Sequence, residues 1–131
     1  MIYLDSSALL KLLVREQESV ALRTWLSERS QVPSVSSELA KVEVVRAIRR
    51  VDPARVASAR GLLAGLELVP LTGAVVEQAG EVGDDRLRSL DAVHLASALA
   101  VADGLSAFVA YDHRLSAAAQ AAGLDVVTPG R

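Results

Sequence analysis

The residues most able to perform chemistry in this sequence are four carboxylates from separate parts of the chain: Asp5, Glu43, Asp91 and Asp112. Asp5 directly follows the apolar residues 2–4, and Asp112 follows the apolar run 107–111. Both runs are predicted strands, and the carboxyl ends of parallel strands form the sheet edge at which open α/β proteins bind ligands. Either Asp could instead act only as the N-cap of the helix that follows it.

Asp91 stands in the first turn of a predicted helix that is apolar nearly all round, as expected of a buried element. A buried carboxylate needs a hydrogen bond, an opposite charge or a metal ion, because burying a bare charge is costly. The positive end of the helix dipole could also stabilise it without any ligand. Glu43 shares one side of an amphipathic helix with Arg46 and Arg50, so an ordinary salt-bridged surface is the alternative there.

Carboxylates that converge on one pocket repel each other unless a divalent cation neutralises them. Carboxylate oxygens are hard ligands that suit Mg²⁺ or Mn²⁺, whereas a chain with no Cys and two His is poorly equipped for zinc. The spacing alone leaves the ligand set open, because Asp84 and Asp85 could take the place of Asp91.

The elements that must position these residues follow from the alternation of short apolar runs with longer helical patterns, which is typical of an α/β fold with a parallel sheet. Strands are predicted near residues 2–5, 31–35, 66–70, 107–111 and 124–127. Helices are predicted near residues 7–14, 17–29, 37–51, 54–65, 72–81, 89–103 and 113–122. Ser36 or Ser37 is the expected cap of the third helix.

Length and composition limit the class of protein. The 131 residues, 51% of them hydrophobic, predict one domain spanning residues 1–131, with a core built from aliphatic side chains. The absence of Cys fits a reducing compartment, and the start of the chain lacks the pattern of a signal peptide, so a cytoplasmic location is expected. The longest apolar stretch, 92–102, is too short to span a membrane.

A net charge of -2 excludes indiscriminate coating of nucleic acid, so any such contact must be local. Residues 41–60 supply a candidate region, with six Lys or Arg against two acids. This stripe could bind phosphates, or it could be a solvated face with internal ion pairs. Arg46, three residues after Glu43, is the best single candidate for contacting substrate or orienting Glu43.

His94 lies three residues after Asp91 on the same helical face, which permits a role as general base or metal ligand. A buried histidine whose ring nitrogens are satisfied by neighbouring groups is the favoured interpretation.

Four segments together resemble the PIN-domain family and, within it, most closely the VapC toxins: 2–11 (IYLDSSALLK), 43–47 (EVVRA), 87–96 (LRSLDAVHLA) and 111–115 (YDHRL). The resemblance implies an α/β sandwich of three layers, in which about seven helices flank a short parallel sheet of about five strands. It implies that Asp5, Glu43, Asp91 and Asp112 hold Mg²⁺ or Mn²⁺, and it selects Asp91 over Asp84 and Asp85. Ser7 matches the small hydroxyl residue that often supports the first Asp of this family, and Ser6 stands where many relatives carry Thr.

The function implied by the resemblance is that of an endoribonuclease toxin of a type II toxin-antitoxin pair, which hydrolyses RNA with a metal-activated water. It further implies an antitoxin whose C-terminal segment covers the acidic pocket, and a homodimer. The alternative is a non-catalytic PIN-like module that only binds RNA or protein. A phosphohydrolase with Asp5 as nucleophile is disfavoured, because that chemistry normally needs a second Asp where this chain has Ser7.

Overall fold

The computed structural model describes residues 1–131 and contains one sheet of five strands. The strands are β1 (Ile2–Leu4), β2 (Ser34–Ser37), β3 (Glu67–Val69), β4 (Ala107–Val109) and β5 (Val126–Val127). They pair in the order β3-β2-β1-β4-β5, and every pair is parallel. The carboxyl ends of all five strands therefore lie along one edge, with β1 in the middle.

Seven helices connect and cover the strands. They are α1 (Ser6–Leu13), α2 (Ser19–Ser27), α3 (Ala40–Val51), α4 (Val56–Ala64), α5 (Gly73–Ala79), α6 (Ser89–Ala100) and α7 (His113–Ala121). Short 3₁₀ turns at Pro53–Arg55 and Ala102–Gly104 complete the secondary structure. No helix is both long and apolar enough to cross a membrane.

The central strand β1 contributes to two separate cores because its side chains alternate between the two faces of the sheet. Ile2 and Leu4 pack into a core with residues of α1 to α4, whereas Tyr3 packs into a core with residues of α5 to α7. The sheet is thus a middle layer between two layers of helices. This arrangement confirms the predicted α/β sandwich with about five strands and seven helices.

The second strand was predicted over residues 31–35, but it runs over Ser34–Ser37 instead. Ser36 is therefore not a helix cap; it pairs with Leu68 of β3, and its Oγ donates a hydrogen bond of 2.6 Å to the carbonyl of Leu4. Pairing on both sides satisfies the backbone of this segment, which outweighs the local preference of serine for a capping position. The third helix consequently begins at Ala40, three residues later than expected.

Candidate active site

A cavity of about 590 Å³ opens at the carboxyl edge of the sheet and is lined by residues from four separate segments of the chain. Its lining includes all four predicted carboxylates, which are Asp5, Glu43, Asp91 and Asp112. Ser7 and Arg46 also line it. Asp84 and Asp85 are absent from this lining, and Asp84 instead pairs with Arg86 at 3.2 Å. The structure thus brings together the residues that the sequence motifs selected.

Asp5 is both a helix cap and a lining residue of the cavity. Its side chain is buried, and Oδ1 accepts hydrogen bonds from the backbone N–H of Ala8 at 2.9 Å and from Ser7 Oγ at 2.7 Å. Oδ2 has no hydrogen-bond partner within the protein. The capping interpretation and the site interpretation are therefore compatible, because capping uses only one of the two oxygens.

Asp112 repeats this arrangement after β4. Its Oδ2 accepts a hydrogen bond from the N–H of Leu115 at 2.9 Å, which caps α7 and leaves Oδ1 without a partner. The preceding peptide is also held, because Arg131 Nη1 donates a hydrogen bond of 2.7 Å to the carbonyl of Tyr111. Arg131 Nε in turn donates to Oε1 of buried Glu18 at 2.9 Å. Asp112 itself is exposed at the mouth of the cavity.

Asp91 differs from the other three because neither of its oxygens has a hydrogen-bond partner in the protein. It lies in the first turn of α6 and is half-buried. Burial raises the pKa of Asp91, and the negative charges of Asp112 and Glu43 raise it further. The pKa of Asp5 is also raised, first by burial and in addition by the charge of Asp91. The carboxylates of the cavity therefore repel one another when no cation is bound.

Glu43 projects from α3 into the cavity and is held by two hydrogen bonds at one oxygen. Ser6 Oγ donates to Oε1 at 2.6 Å, and His94 Nε2 lies 2.7 Å from the same atom. Burial raises the pKa of Glu43, but the hydrogen bonds from His94 and Ser6 outweigh burial, so that its pKa lies below the ordinary value. Oε2 has no partner in the protein.

The contact between His94 and Glu43 is the part of the site that the sequence did not identify. His94 is buried and its ring is satisfied by neighbours, as the favoured interpretation held, but one of those neighbours is a residue of the predicted site. The available signal was the three-residue spacing between Asp91 and His94 on one helical face. That spacing did not indicate which residue of α3 the imidazole would reach.

The donor set fits Mg²⁺ or Mn²⁺ in its chemistry. Asp5, Glu43 and Asp112 each keep one oxygen without a protein partner, and Asp91 keeps both. As the side chains stand, no group of three or more His, Asp or Glu is close enough to hold one ion. Mg²⁺ commonly keeps several waters and takes only one or two carboxylates directly, so it does not require three protein ligands at once.

The sequence matches the family model of the PIN domain over residues 2–121. The chain belongs to the PIN-domain family. Within this family it is similar to Ribonuclease VapC47 of Mycobacterium tuberculosis, with 44% identity over 99% of this chain and 98% of that protein. It is also similar to Ribonuclease VapC46 of the same species, with 43% identity over 98% of this chain and 97% of that protein. These comparisons confirm that the chain is similar to VapC proteins within the PIN-domain family, as its motifs indicated.

Two solved structures share the fold of this VapC-type protein. One is VapC20 of Mycobacterium tuberculosis, a sarcin-ricin loop cleaving toxin, with a TM-score of 0.76 and 20% identity over 98% of this chain and all of that chain (100%). The other is FitAcB of Neisseria gonorrhoeae, with a TM-score of 0.67 and 19% identity over 98% of each chain. At this level of identity the two structures support the fold alone.

Proposed function

We propose that this VapC-type endoribonuclease hydrolyses RNA phosphodiester bonds at the cavity lined by Asp5, Glu43, Asp91 and Asp112, with Mg²⁺ or Mn²⁺ as cofactor. The observation that carries the proposal is the convergence of these carboxylates, from four separate segments, on one cavity with unpartnered oxygens. Residues 1–131 are proposed to act as one PIN-like domain. A cytoplasmic location stays a prediction.

The proposed reaction gives each residue of the site a defined task. A divalent ion held there would supply an activated water and would neutralise the charge of the leaving oxygen. Asp5 is held by its two capping hydrogen bonds, and Ser7 donates one of them, so the free oxygen of Asp5 keeps its direction towards the cavity. The lowered pKa of Glu43 keeps that residue ionised at neutral pH. Asp91 and Asp112 contribute further negative charge for the ion.

Three arginines on the cavity wall are proposed to contact the RNA backbone: Arg46, Arg50 and Arg88. None of them forms an ion pair with a carboxylate of the protein. Unpaired guanidinium groups beside a phosphodiester-cleaving site can bind phosphate oxygens, which positions the strand without reading its sequence. Arg46 is thus proposed as a substrate-contacting residue, one of the two roles that the sequence suggested for it.

VapC toxins pair with antitoxins, and we propose that a cognate antitoxin covers this same cavity. The rim carries Val42 and Leu90, which are 56% and 51% exposed, next to the acidic lining. A partner that places apolar side chains on this rim and a cation in the cavity would complement both features. The expected homodimer is a proposal from the family resemblance.

The experiment that tests the function is cleavage of a panel of structured RNAs by the purified chain with and without Mg²⁺ or Mn²⁺. Cleavage should require the ion and disappear in Asp5→Ala and Asp91→Ala, whereas Asp84→Ala, outside the cavity, should cleave like the wild type. Cleavage that survives both cavity substitutions would reject this site. Binding of RNA without ion-dependent cleavage would favour the non-catalytic PIN-like module.

A further inference from the structure

His94 is a buried, polar residue at the site to which the proposed reaction assigns no task. Only 1% of its surface is exposed, and from α6 it contacts Tyr3 of β1 and Ser6 at the start of α1. The proposed ligands of the ion are all carboxylates, and although the imidazole contributes to the lining of the cavity, it is too little exposed to bind an RNA strand there. A role for His94 must therefore come from the residues to which its ring is hydrogen-bonded.

Both ring nitrogens of His94 are engaged. Nε2 lies 2.7 Å from Glu43 Oε1, and Nδ1 lies 2.7 Å from the hydroxyl of Tyr3. A carboxylate only accepts hydrogen bonds, so the proton between His94 and Glu43 resides on Nε2. In the neutral ring Nδ1 is then an acceptor, and the Tyr3 hydroxyl donates to it. Ser6 Oγ, 3.0 Å from Nε2, closes the group by donating to the same Glu43 oxygen.

The Tyr3 end of this chain of hydrogen bonds is fixed by packing. Tyr3 lies in the central strand with no exposed surface, and its ring stacks on Phe108 with centroids 5.2 Å apart. The ring of His94 packs edge-on against Tyr3 at 5.9 Å. A tyrosine held in this way presents its hydroxyl in one direction, which fixes the orientation of the imidazole at Nδ1, while the carboxylate of Glu43 selects its tautomer.

We propose that His94 is a positioning residue that anchors Oε1 of Glu43, with Tyr3 holding the imidazole in place at Nδ1, so that Oε2 remains directed at the cavity. A residue that hydrogen-bonds to a metal ligand commonly sets the orientation of that ligand. Losing such a residue typically lowers metal affinity or activity by about 10- to 100-fold. The consequence for the ion rests on the proposed function. The orientation of Glu43 by His94 and Tyr3 does not depend on it.

The test compares His94→Ala, His94→Gln and Tyr3→Phe with the control Ser19→Ala. Ser19 is a buried serine in the first turn of α2; its hydroxyl bonds only to backbone atoms of Val14 and Glu16, and it does not line the cavity. Each substitution is made in the wild type and in Glu43→Ala. Mn²⁺ affinity is measured by titration of the metal-free protein without RNA, and kcat is measured with RNA.

His94→Ala should weaken Mn²⁺ binding and lower kcat by about 10- to 100-fold in the wild type, yet change neither further in Glu43→Ala. His94→Gln retains an N–H donor and should recover most of the loss. Tyr3→Phe should show a smaller loss, and Ser19→Ala none. Equal losses of His94→Ala in the wild type and in Glu43→Ala, or a loss in Ser19→Ala matching that of His94→Ala, would overturn the positioning role.

A readout that needs neither ion nor RNA separates this inference from the proposed function. ¹⁵N NMR of the imidazole in the metal-free protein should show a single Nε2-protonated tautomer, which Glu43→Ala and Tyr3→Phe each disturb. If the wild type neither binds Mn²⁺ nor cleaves RNA but shows this signature, the proposed function fails and the anchoring stands. A mixed or Nδ1-protonated tautomer in the wild type would contradict the anchoring itself.

Discussion

Ser6 donates a hydrogen bond of 2.6 Å to Oε1 of Glu43, although 37 residues separate them in the chain. The bond joins the first turn of α1, which follows β1, to the first turn of α3. Two of the four segments that build the cavity are thereby connected directly. The position of Glu43 in the site depends on this contact as well as on the contact with His94.

Ser6→Ala should lower the free energy of unfolding by about 1–3 kcal/mol, because it removes a hydrogen bond to a charged group. Ser6→Thr retains the hydroxyl and should recover part of this loss. Urea denaturation provides the measurement, and Ser106→Ala, which removes an exposed serine hydroxyl bonded only to the Met1 carbonyl, is the control. A Ser6→Ala protein as stable as the control would show that the bond contributes nothing.

Glu18 should make stability depend on pH in the acidic range. Hydrogen bonds from Lys11 and Arg131 lower its pKa to about 2. A lowered carboxyl pKa contributes stability that is fully present above the unfolded value, near 4.5, and is lost as the pH falls towards 2. Glu18→Gln should therefore be less stable than the wild type at pH 6, and the difference should shrink between pH 4.5 and pH 2.

Thermal unfolding at several pH values measures the difference between Glu18→Gln and the wild type. Glu28→Gln serves as the control: Glu18 directly precedes α2 and Glu28 directly follows it, but the side chain of Glu28 is 65% exposed. The exposed ion pair of Glu28 with Arg29 contributes little to the free energy of unfolding, so this variant should be as stable as the wild type at every pH. A Glu18→Gln deficit that stays constant down to pH 2 would contradict the assigned pKa.

Asp91→Asn should raise the melting temperature of the metal-free protein at neutral pH. The pKa of Asp91 is raised by burial and by Asp112 and Glu43, so the wild type loses stability as the pH rises above the ordinary value of 3.8. The neutral amide avoids this loss, and because Asp91 accepts no hydrogen bond, none is broken. The increase should be a few degrees, since 1 kcal/mol corresponds to roughly 2–8 °C in domains of such size.

Saturating Mn²⁺ should reverse this order, because an ion that binds the native wild type stabilises it and the variant binds the ion less well. Scanning calorimetry with and without the ion makes the comparison. Asp103→Asn, an exposed acid outside the cavity, should leave the melting temperature unchanged in both conditions. A metal-free Asp91→Asn protein that is less stable than the wild type would show that carboxylate repulsion does not govern this site.

Arg46→Ala, Arg50→Ala and Arg88→Ala should each weaken RNA binding and make it less sensitive to salt. Each phosphate contact to a single strand contributes about 0.7 to the slope of log affinity against log salt. Binding is measured by fluorescence anisotropy in an inactive Asp5→Asn background. Arg86→Ala, whose guanidinium pairs with Asp84 outside the cavity, should leave the slope unchanged. Unchanged slopes in all three variants would remove these arginines from the RNA path.

Much of the site could be predicted because its key positions depend on local rules. Asp5 and Asp112 follow apolar strands and begin helices, so their place at the sheet edge follows from the order of elements. The contacts of His94 could not be predicted, because they join residues 51 to 91 positions apart and depend on how α6 packs on the sheet. The extent of β2 was missed because pairing with β3, rather than the capping preference of Ser36, decides the structure there.

The most direct test of the central claim, that these carboxylates form one cation site, is calorimetric titration of Mn²⁺ into the metal-free protein. The wild type and Asp84→Asn should bind the ion with the same affinity, whereas Asp5→Asn and Asp91→Asn should lose most of it while remaining folded. Wild-type affinity in both cavity variants would contradict the account.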